Sequence, residues 1–141
     1  RWEVVCEGTR RFRVVEALGE DPYLRCEVSF PDPPADAEDT ATVAAAEKLR
    51  ATYMEHLQLD LAMHDAWQSR FHLPAVSSAL ADLVAGRIDV PPSVKQGVLE
   101  ATTVAQQIEI LTKVLEVENA QLNMRLAAHR RTRYSGLGIL N

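Results

Sequence analysis

The first thirty residues alternate between apolar and polar side chains, which is the period of a β-strand with one buried face. The alternation is clearest over residues 23–30, and residues 2–7 and 11–18 follow the same pattern. Two short segments rich in residues that turns favour, 8–9 and 19–22, separate the three runs. The pattern therefore predicts three strands that pair into a small antiparallel sheet.

The chain opens inside this alternation, because Arg1 and Trp2 already belong to the first predicted strand. Three strands need further strands or a helical cover to be stable. We therefore expect residues 1–30 to form a β lobe whose first strands lie before residue 1.

Residues 31–39 differ from the segments on either side, because they contain three prolines and four acidic residues but no basic residue. This composition is typical of a stiff, solvated linker. From Thr40 the apolar spacing changes to three and four, which predicts a helical lobe over residues 40–135. A short tail over residues 136–141 follows.

Four helices are expected in the helical lobe. The first extends to about Leu73 with one break between Gln58 and Gln68, because this stretch is longer than most helices. The second covers residues 75–85 and ends at Gly86, a residue suited to a left-handed cap.

The third helix is short and opens with Pro91-Pro92, since proline is tolerated in a first turn. Thr103 and Gln106 have capping-box spacing for the last and longest helix, which the segment Gly136-Leu-Gly138 ends. The apolar side chains that recur at helical spacing are expected to form the core: Val43, Ala46, Leu49, Tyr53, Leu57, Leu61, Val76, Leu80, Leu83, Val84, Val94, Val98, Leu99, Val104, Ile108, Leu111, Leu115, Leu122 and Leu126.

Strands first and helices after predict the α+β class, a small antiparallel sheet followed by a helical bundle with a long C-terminal helix. The 141-residue chain is 47% hydrophobic and carries a formal net charge of -5, which is typical of a folded domain. No apolar run approaches the ~18 residues of a membrane span. The acidic balance argues against a nucleic-acid partner.

Cys6 and Cys26 are the two cysteines of the sequence. They lack the Cys-x-x-Cys spacing of zinc and redox sites, so we predict that both are small buried residues in strands. This cysteine usage favours a reducing, cytoplasmic location.

His56, Asp60 and His64 are four residues apart and would share one helix face, a spacing that could hold a divalent metal. A metal-dependent enzyme is therefore one alternative. The glutamate of a His-Glu-x-x-His motif is missing, however, and a solvated helix face explains the same residues. No Gly-x-Ser-x-Gly motif or phosphate-binding loop occurs. The sequence therefore predicts no catalytic residue, no metal and no cofactor.

The end of the last predicted helix is basic, and no acidic residue follows Asn119. Such a run could contact nucleic acid, but cations also stabilise the C-terminal end of a helix, and this second interpretation is favoured. The cationic side chains are Arg125, His129, Arg130, Arg131 and Arg133.

Taken in order, these segments resemble the N-terminal substrate-binding domain of the Lon family of ATP-dependent proteases. The most specific part is the succession of LADLVAGRI (80–88), KQGVLE (95–100) and the capped helix over residues 104–118. The strand segments GTRRFRVV (8–15) and DPYLRCEV (21–28) are similar to the paired β segments of the family. The resemblance implies that the sheet is the remnant of a partly open barrel.

The resemblance also implies a non-enzymatic module that recognises unfolded or damaged polypeptides in protein quality control. The ATPase loop and the Ser-Lys protease motif of full-length Lon are not in this sequence, and the segment after Arg133 looks like the end of a stand-alone, single-domain member. A second alternative is an adaptor that docks on a separate protease or another partner, through the acidic linker or the basic tail.

The β lobe is the better candidate for binding an extended peptide, because its edges are expected to be open while the helices satisfy one another. Its candidate peptide-binding residues are Trp2, Phe12, Tyr23, Leu24 and Phe30.

Overall fold

The computed structural model describes residues 2–6, 8–68 and 70–135, and its contacts divide the chain into two units. We call Arg1–Pro33 the β unit and Pro34–Asn141 the helical unit. Two strands followed by four helices confirm the predicted α+β class with a long C-terminal helix. The elements are β1 (Arg13–Gly19), β2 (Arg25–Ser29), α1 (Thr40–Met63), α2 (Ser77–Arg87), α3 (Pro92–Glu100) and α4 (Val104–Ser135).

The β unit is an antiparallel pair formed by β1 and β2. Val14 lies opposite Val28, and Ala17 lies opposite Cys26. Gly19 ends β1 with φ of 145°, a backbone conformation that residues other than glycine rarely adopt. The predicted turn between these two strands is confirmed.

The predicted first strand is wrong, because residues 2–6 form no strand and Gly8 therefore joins no hairpin. A strand needs a partner for its backbone groups and a cover for its apolar face. Trp2 and Val5 are almost fully exposed, so this segment has found no such cover among the described residues.

The prediction that both cysteines are buried in strands is also wrong. Cys6 is exposed and precedes β1, whereas Cys26 lies in β2 but is only half-buried. Alternation in the sequence marks the apolar face of a strand, but burial of that face depends on a second layer. Within the described part of the β unit, β1 and β2 form a single two-stranded layer.

The helical unit is built around α4, which packs against α1, α2 and α3. Its buried core includes Leu49 and Tyr53 of α1, Leu80 of α2, and Leu111 and Leu115 of α4. All five belong to the set predicted from helical spacing, so the structure confirms the prediction at the centre of the core. None of the helices in the described ranges combines the length and apolar character needed to cross a membrane.

α1 and α4 run in the same direction. Asp36, just before α1, contacts the first residues of α4. Further along, Lys48 pairs with Glu116 at 2.7 Å, and the Thr52 carbonyl accepts a hydrogen bond from the Asn119 amide at 3.0 Å. Partners that advance along both helices together define a parallel pair.

α1 ends earlier than predicted. The expected break is present, with Asp65 at φ of 52°, but no helix resumes in the described part of residues 66–76. The Arg50 guanidinium holds this loop to α1 by donating to the Pro74 carbonyl at 2.6 Å. Leu73 packs against the core from the loop, which explains why an apolar residue occurs here although the segment is not helical.

Two further details of the helix prediction are corrected. α2 runs through Gly86 to Arg87, so Gly86 is not a left-handed cap. Val43, Val76 and Leu99 are exposed although their spacing placed them in the core. Each helix meets the bundle on one side only, and the buried stripe is narrower than the apolar pattern.

The predicted capping box of α4 is half correct. Thr103 Oγ1 accepts a hydrogen bond from the Gln106 N–H at 3.2 Å. Gln106 Oε1 accepts a hydrogen bond from the N–H of Thr102 at 3.2 Å, whereas a capping box would have it accept from the N–H of Thr103. The predicted end of this helix at Gly136-Leu-Gly138 lies outside the described residues.

Asp36 caps α4 from a distant part of the sequence. Its carboxylate accepts hydrogen bonds from the N–H of Ala105 at 2.9 Å and of Val104 at 3.0 Å. These bonds, the one from Ala105 first, lower the pKa of the Asp36 carboxyl. Ala37 packs against the helical core. This part of the predicted linker is therefore a packed segment, not a solvated one.

We expect Asp36→Ala to lower the melting temperature of the helical unit by several degrees, because two N–H groups at the start of α4 lose their acceptor. The pKa of Asp36 is lower in the folded protein. The stability that the ionised Asp36 contributes is therefore fully present at pH values above the ordinary carboxyl pKa of about 3.9. It is lost as the pH falls through the lower pKa of the folded state. Thermal unfolding followed by circular dichroism, at neutral and successively lower pH, measures the size and the pH dependence of this loss.

Asp39→Ala is the matched control, since Asp39 occupies the N-cap of α1 but its side chain makes no capping hydrogen bond. An equal loss in both variants would contradict the role of Asp36. A difference between Asp36→Ala and the wild type that persists at the lowest pH would contradict it as well.

Candidate peptide-binding site

The five predicted peptide-binding side chains are exposed in the β unit. Trp2, at 98% exposure, precedes the sheet. Phe12 directly precedes β1 and is 59% exposed, and Phe30 directly follows β2 and is 50% exposed. Tyr23 and Leu24 lie in the connection just before β2 and are exposed as well.

Two β-bulges place Val14 and Ala17 of β1 on one face. Val15 and then Leu18 are extra residues without a partner in β2, so the alternation of β1 restarts after each. Val14 and Ala17 therefore share a face although they are three positions apart. Their partners in β2 are also apolar and lie on the same face.

This face carries an apolar strip that extends beyond the strands. Continuing the register by one residue places Phe12 opposite Phe30, and the alternation along β2 places Leu24 on the same face at the other end. At about 3.3 Å per residue the strip is roughly 20 Å long. Tyr23 lies in the bend before β2, and Trp2 lies outside the sheet. The apolar strip consists of Phe12, Val14, Ala17, Leu24, Cys26, Val28 and Phe30.

Arg10 lies over the ring of Phe30, with the guanidinium carbon 4.3 Å from the ring centre. This is the geometry of a cation–π contact. The contact covers one side of the ring and places a positive charge at the end of the strip where Phe12 also lies. A ligand on the strip therefore meets apolar surface along its length and a cation at one end.

Within the described residues both strands have an unpaired outer edge, because the sheet holds only β1 and β2. The backbone N–H and C=O groups of such an edge can pair with an extended chain. β2 offers the more regular edge, since both bulges lie in β1. A strand added to β2 would direct alternate side chains towards the face of the apolar strip.

The opposite face of the sheet is charged. Glu16 and Glu27 lie directly opposite each other, and such a like-charge pair weakens strand pairing. Arg13 and Arg25 share this face, as their register positions show. The apolar side chains of a bound peptide would therefore find a matching surface on the strip and not on this face.

Sequence reasoning did not name Val14, Ala17, Cys26, Val28 or Arg10 as parts of this site. Simple alternation groups Val14 with Glu16, so the bulges have to be known before the strip can be recognised. The adjacent pair Val14-Val15 interrupts the alternation and is the one sign of a bulge in the sequence.

The KQGVLE segment has structural roles in α3. Lys95 Nζ donates to the Gly86 carbonyl near the end of α2, at 3.5 Å. Gln96 donates to the Glu100 carboxylate at 2.8 Å, and Val98 is buried in the core. The contacts of Lys95 and Val98 fasten α3 to its neighbours, whereas the bond from Gln96 to Glu100 lies within α3. The segment is therefore a mark of the fold.

A shallow groove of about 380 Å³ lies between α3 and α4, lined in part by Glu100, Glu109 and Lys113. Lys113 of α4 donates to Glu109, one helical turn earlier, at 2.6 Å. This hydrogen bond, together with the charge of Lys113, lowers the pKa of Glu109. These charged side chains are thus paired within their own helices, Glu109 with Lys113 in α4 and Glu100 with Gln96 in α3.

His56, Asp60 and His64 do not come together as metal ligands, and the described residues hold no group of three His, Cys, Asp or Glu side chains suited to a metal. His56 Nδ1 lies 3.0 Å from Asn119 Oδ1, and its ring stacks on Tyr53, whose pKa is raised by burial. His64 Nδ1 lies 2.8 Å from the Asp60 carbonyl. The two histidines therefore have different partners.

Residues 1–117 match the protein family described as the ATP-dependent protease La (LON) substrate-binding domain. A Lon protease 2 of Myxococcus xanthus is 29% identical over 114 residues, which are 81% of this chain and 14% of that protein. A Lon protease of Methylocella silvestris is 29% identical over 132 residues, 94% of this chain and 16% of that protein. A Lon protease of Phenylobacterium zucineum is 31% identical over 135 residues, 94% of this chain and 17% of that protein. The chain thus spans between 14% and 17% of the length of these relatives.

Proposed function

The chain belongs to the family of substrate-binding domains of ATP-dependent Lon proteases, and we propose that it is a non-enzymatic module that binds exposed apolar segments of unfolded or damaged polypeptides. Its place would be in cytoplasmic protein quality control. The matched region is a small part of each relative, which supports recognition of a substrate as its contribution, without ATP hydrolysis or peptide-bond cleavage.

The observation that carries this proposal is the apolar strip beside an open strand edge. Most of the exposed large apolar side chains among the described residues lie in the β unit, although this unit holds only residues 1–33. A concentration of exposed apolar side chains on one surface marks an interaction site.

Strand addition explains why the ligand would be unfolded. A peptide can pair with β2 only where its own backbone N–H and C=O groups are free, and a folded protein has used nearly all of these groups. Its alternate side chains must also be apolar to cover Val14 and Val28. Backbone pairing would supply affinity for many sequences, and the strip would select the apolar ones.

Binding of reduced, carboxymethylated α-lactalbumin, which stays unfolded in buffer, tests the proposal. We expect the fluorescein-labelled protein to bind the full chain, and we expect the double variant Val14→Asn/Val28→Asn to weaken binding by about tenfold, because a directly opposed apolar pair leaves the strip. Fluorescence anisotropy measures the affinity.

The matched control is Arg13→Asn/Ser29→Asn, which places the same side chains on the neighbouring opposed pair of the other face. It should bind as the wild type does. Equal affinities of the two double variants would contradict the site, and equal binding of native, disulfide-intact α-lactalbumin would contradict the preference for unfolded chains.

A further inference from the structure

α4 continues beyond the end of α1 at one end of the helical unit. His56 of α1 lies beside Asn119 of α4, and the two helices are parallel. Because each residue advances a helix by about 1.5 Å, the end of α1 at Met63 lies beside about residue 126 of α4. α4 extends to Ser135, roughly 13 Å further. The last part of α4, after about residue 126, therefore has no neighbour in α1.

The face of α4 that packs on α1 continues into this last part of the helix. Asn119, Leu122 and Leu126 recur at spacings of three and four along this face, and Leu126 is still buried. The next position in the series is Arg130, which is exposed. The series of residues that faces α1 thus ends in a cationic residue, Arg130, just past the end of α1.

Positive charge surrounds this end of α4. Arg125, Arg130 and Arg131 are exposed, as is His129, and none of the four forms an ion pair with another described residue. All 20 acidic residues of the chain lie at or before Glu118, and the chain as a whole carries a formal net charge of -5. The positive charge of these residues therefore contrasts with the net negative charge of the chain.

An exposed tryptophan lies at the same end. Trp67 is 85% exposed and directly follows Ala66, whose N–H still bonds to the Leu61 carbonyl of α1 at 2.9 Å. Met124 of α4 is exposed as well. Tryptophan and arginine are the residue types that most often contribute large shares of the binding energy at protein interfaces.

Acidic side chains border this surface on the side of α1. Asp60 Oδ1 lies 3.7 Å from His64 Nδ1, so this carboxylate is directed to its own helix. Asp65 follows at the end of α1. The border matters for the choice of ligand, because it repels any anion that extends across it.

We propose that this end of the helical unit docks an acidic segment of a second polypeptide. We call it the basic end, and it consists of Arg125, His129, Arg130 and Arg131 of α4 together with Trp67, which follows α1. Carboxylates of the partner would pair with the arginines, and an apolar side chain between them would cover Trp67. The basic end lies in the helical unit and selects a chemistry opposite to that of the apolar strip. It is therefore a second, separate interaction surface.

A polypeptide fits the basic end better than a nucleic acid does. Each strand of a nucleic acid carries a charge at every phosphate, so it would meet Asp60 and Asp65 and the net negative charge of the chain. A peptide can place its few carboxylates on the arginines and leave the acidic border uncontacted. An exposed indole also suits an apolar side chain of the partner.

Fluorescence anisotropy of a short fluorescein-labelled peptide, rich in Asp and Glu with interspersed Leu, tests the proposal on the full chain. We expect binding that weakens as salt is raised. Arg130→Glu/Arg131→Glu should weaken binding by about tenfold or more. Trp67→Ala should weaken it by about fivefold with an unchanged salt dependence, and this exposed substitution keeps the proposal testable if the double variant fails to fold.

Lys48→Glu/Lys113→Glu is the matched control, since it makes the same change in net charge at exposed positions of α1 and α4. It should bind the peptide as the wild type does. The proposal is overturned if the two double variants bind alike, or if single-stranded oligothymidylate binds more tightly than the peptide. The variants of the apolar strip should leave peptide binding unchanged, so the two surfaces can fail independently.

Discussion

Replacing Leu111 with alanine should lower the free energy of unfolding of the helical unit by about 3 kcal/mol or more. Leu111 is fully buried in the N-terminal half of α4 and belongs to the same core cluster as Leu49 of α1 and Leu80 of α2. Since α4 packs against the other three helices, a cavity at this position removes contacts at the centre of the bundle. Urea unfolding followed by the helical circular dichroism signal measures the loss.

Val117→Ala is the matched control, because Val117 lies on the same helix but is exposed. Its effect should stay within about 0.5 kcal/mol. A small loss for Leu111→Ala, or losses of equal size at the two positions, would show that the face of α4 assigned to the core is not the buried one.

Asn119→Ala should cost about 2 kcal/mol, the second largest effect we expect. Asn119 is 4% exposed, donates to the Thr52 carbonyl at 3.0 Å and lies 3.0 Å from His56 Nδ1. Its removal leaves the partly buried ring nitrogen of His56 without its partner, and an unmade bond in a buried setting costs more than a made bond contributes. Urea unfolding again gives the free energy.

A double-mutant cycle with His56→Ala separates the hydrogen bond from the lost packing. The coupling between the two substitutions should be about 1 kcal/mol. Asn123→Ala, at an exposed position four residues further along α4, is the control and should have little effect. Purely additive effects of His56→Ala and Asn119→Ala would rule out the contact as a stabilising pair.

The core of the helical unit could be predicted because it depends on local periodicity. Leu49, Tyr53, Leu80 and Leu111 recur at helical spacing, and packing follows from the faces this spacing creates. The cap on α4 could not be predicted, since Asp36 is separated from Val104 by the whole of α1, α2 and α3. Contacts between distant segments leave no periodic signal in one sequence.

The sheet shows the same limit. Alternation over residues 23–30 places Leu24 and Phe30 on one face, as the structure does, but alternation along β1 groups Val14 with Glu16, because the bulges at Val15 and Leu18 shift its register. Alternation also predicted a strand over residues 2–7, but the described residues 2–6 form none. Strand propensity is local, whereas strand formation needs a partner that the pattern does not supply.

The parallel pairing of α1 and α4 determines when the helical unit can fold during synthesis on the ribosome. Residues 64–103 separate the two helices, so α1 emerges well before the partner that covers Leu49 and Tyr53. A nascent chain interrupted before α4 would keep this stripe exposed. Such a fragment would display the same apolar signal that we propose the β unit recognises in other proteins, and an incomplete copy could thus be a ligand for a complete one.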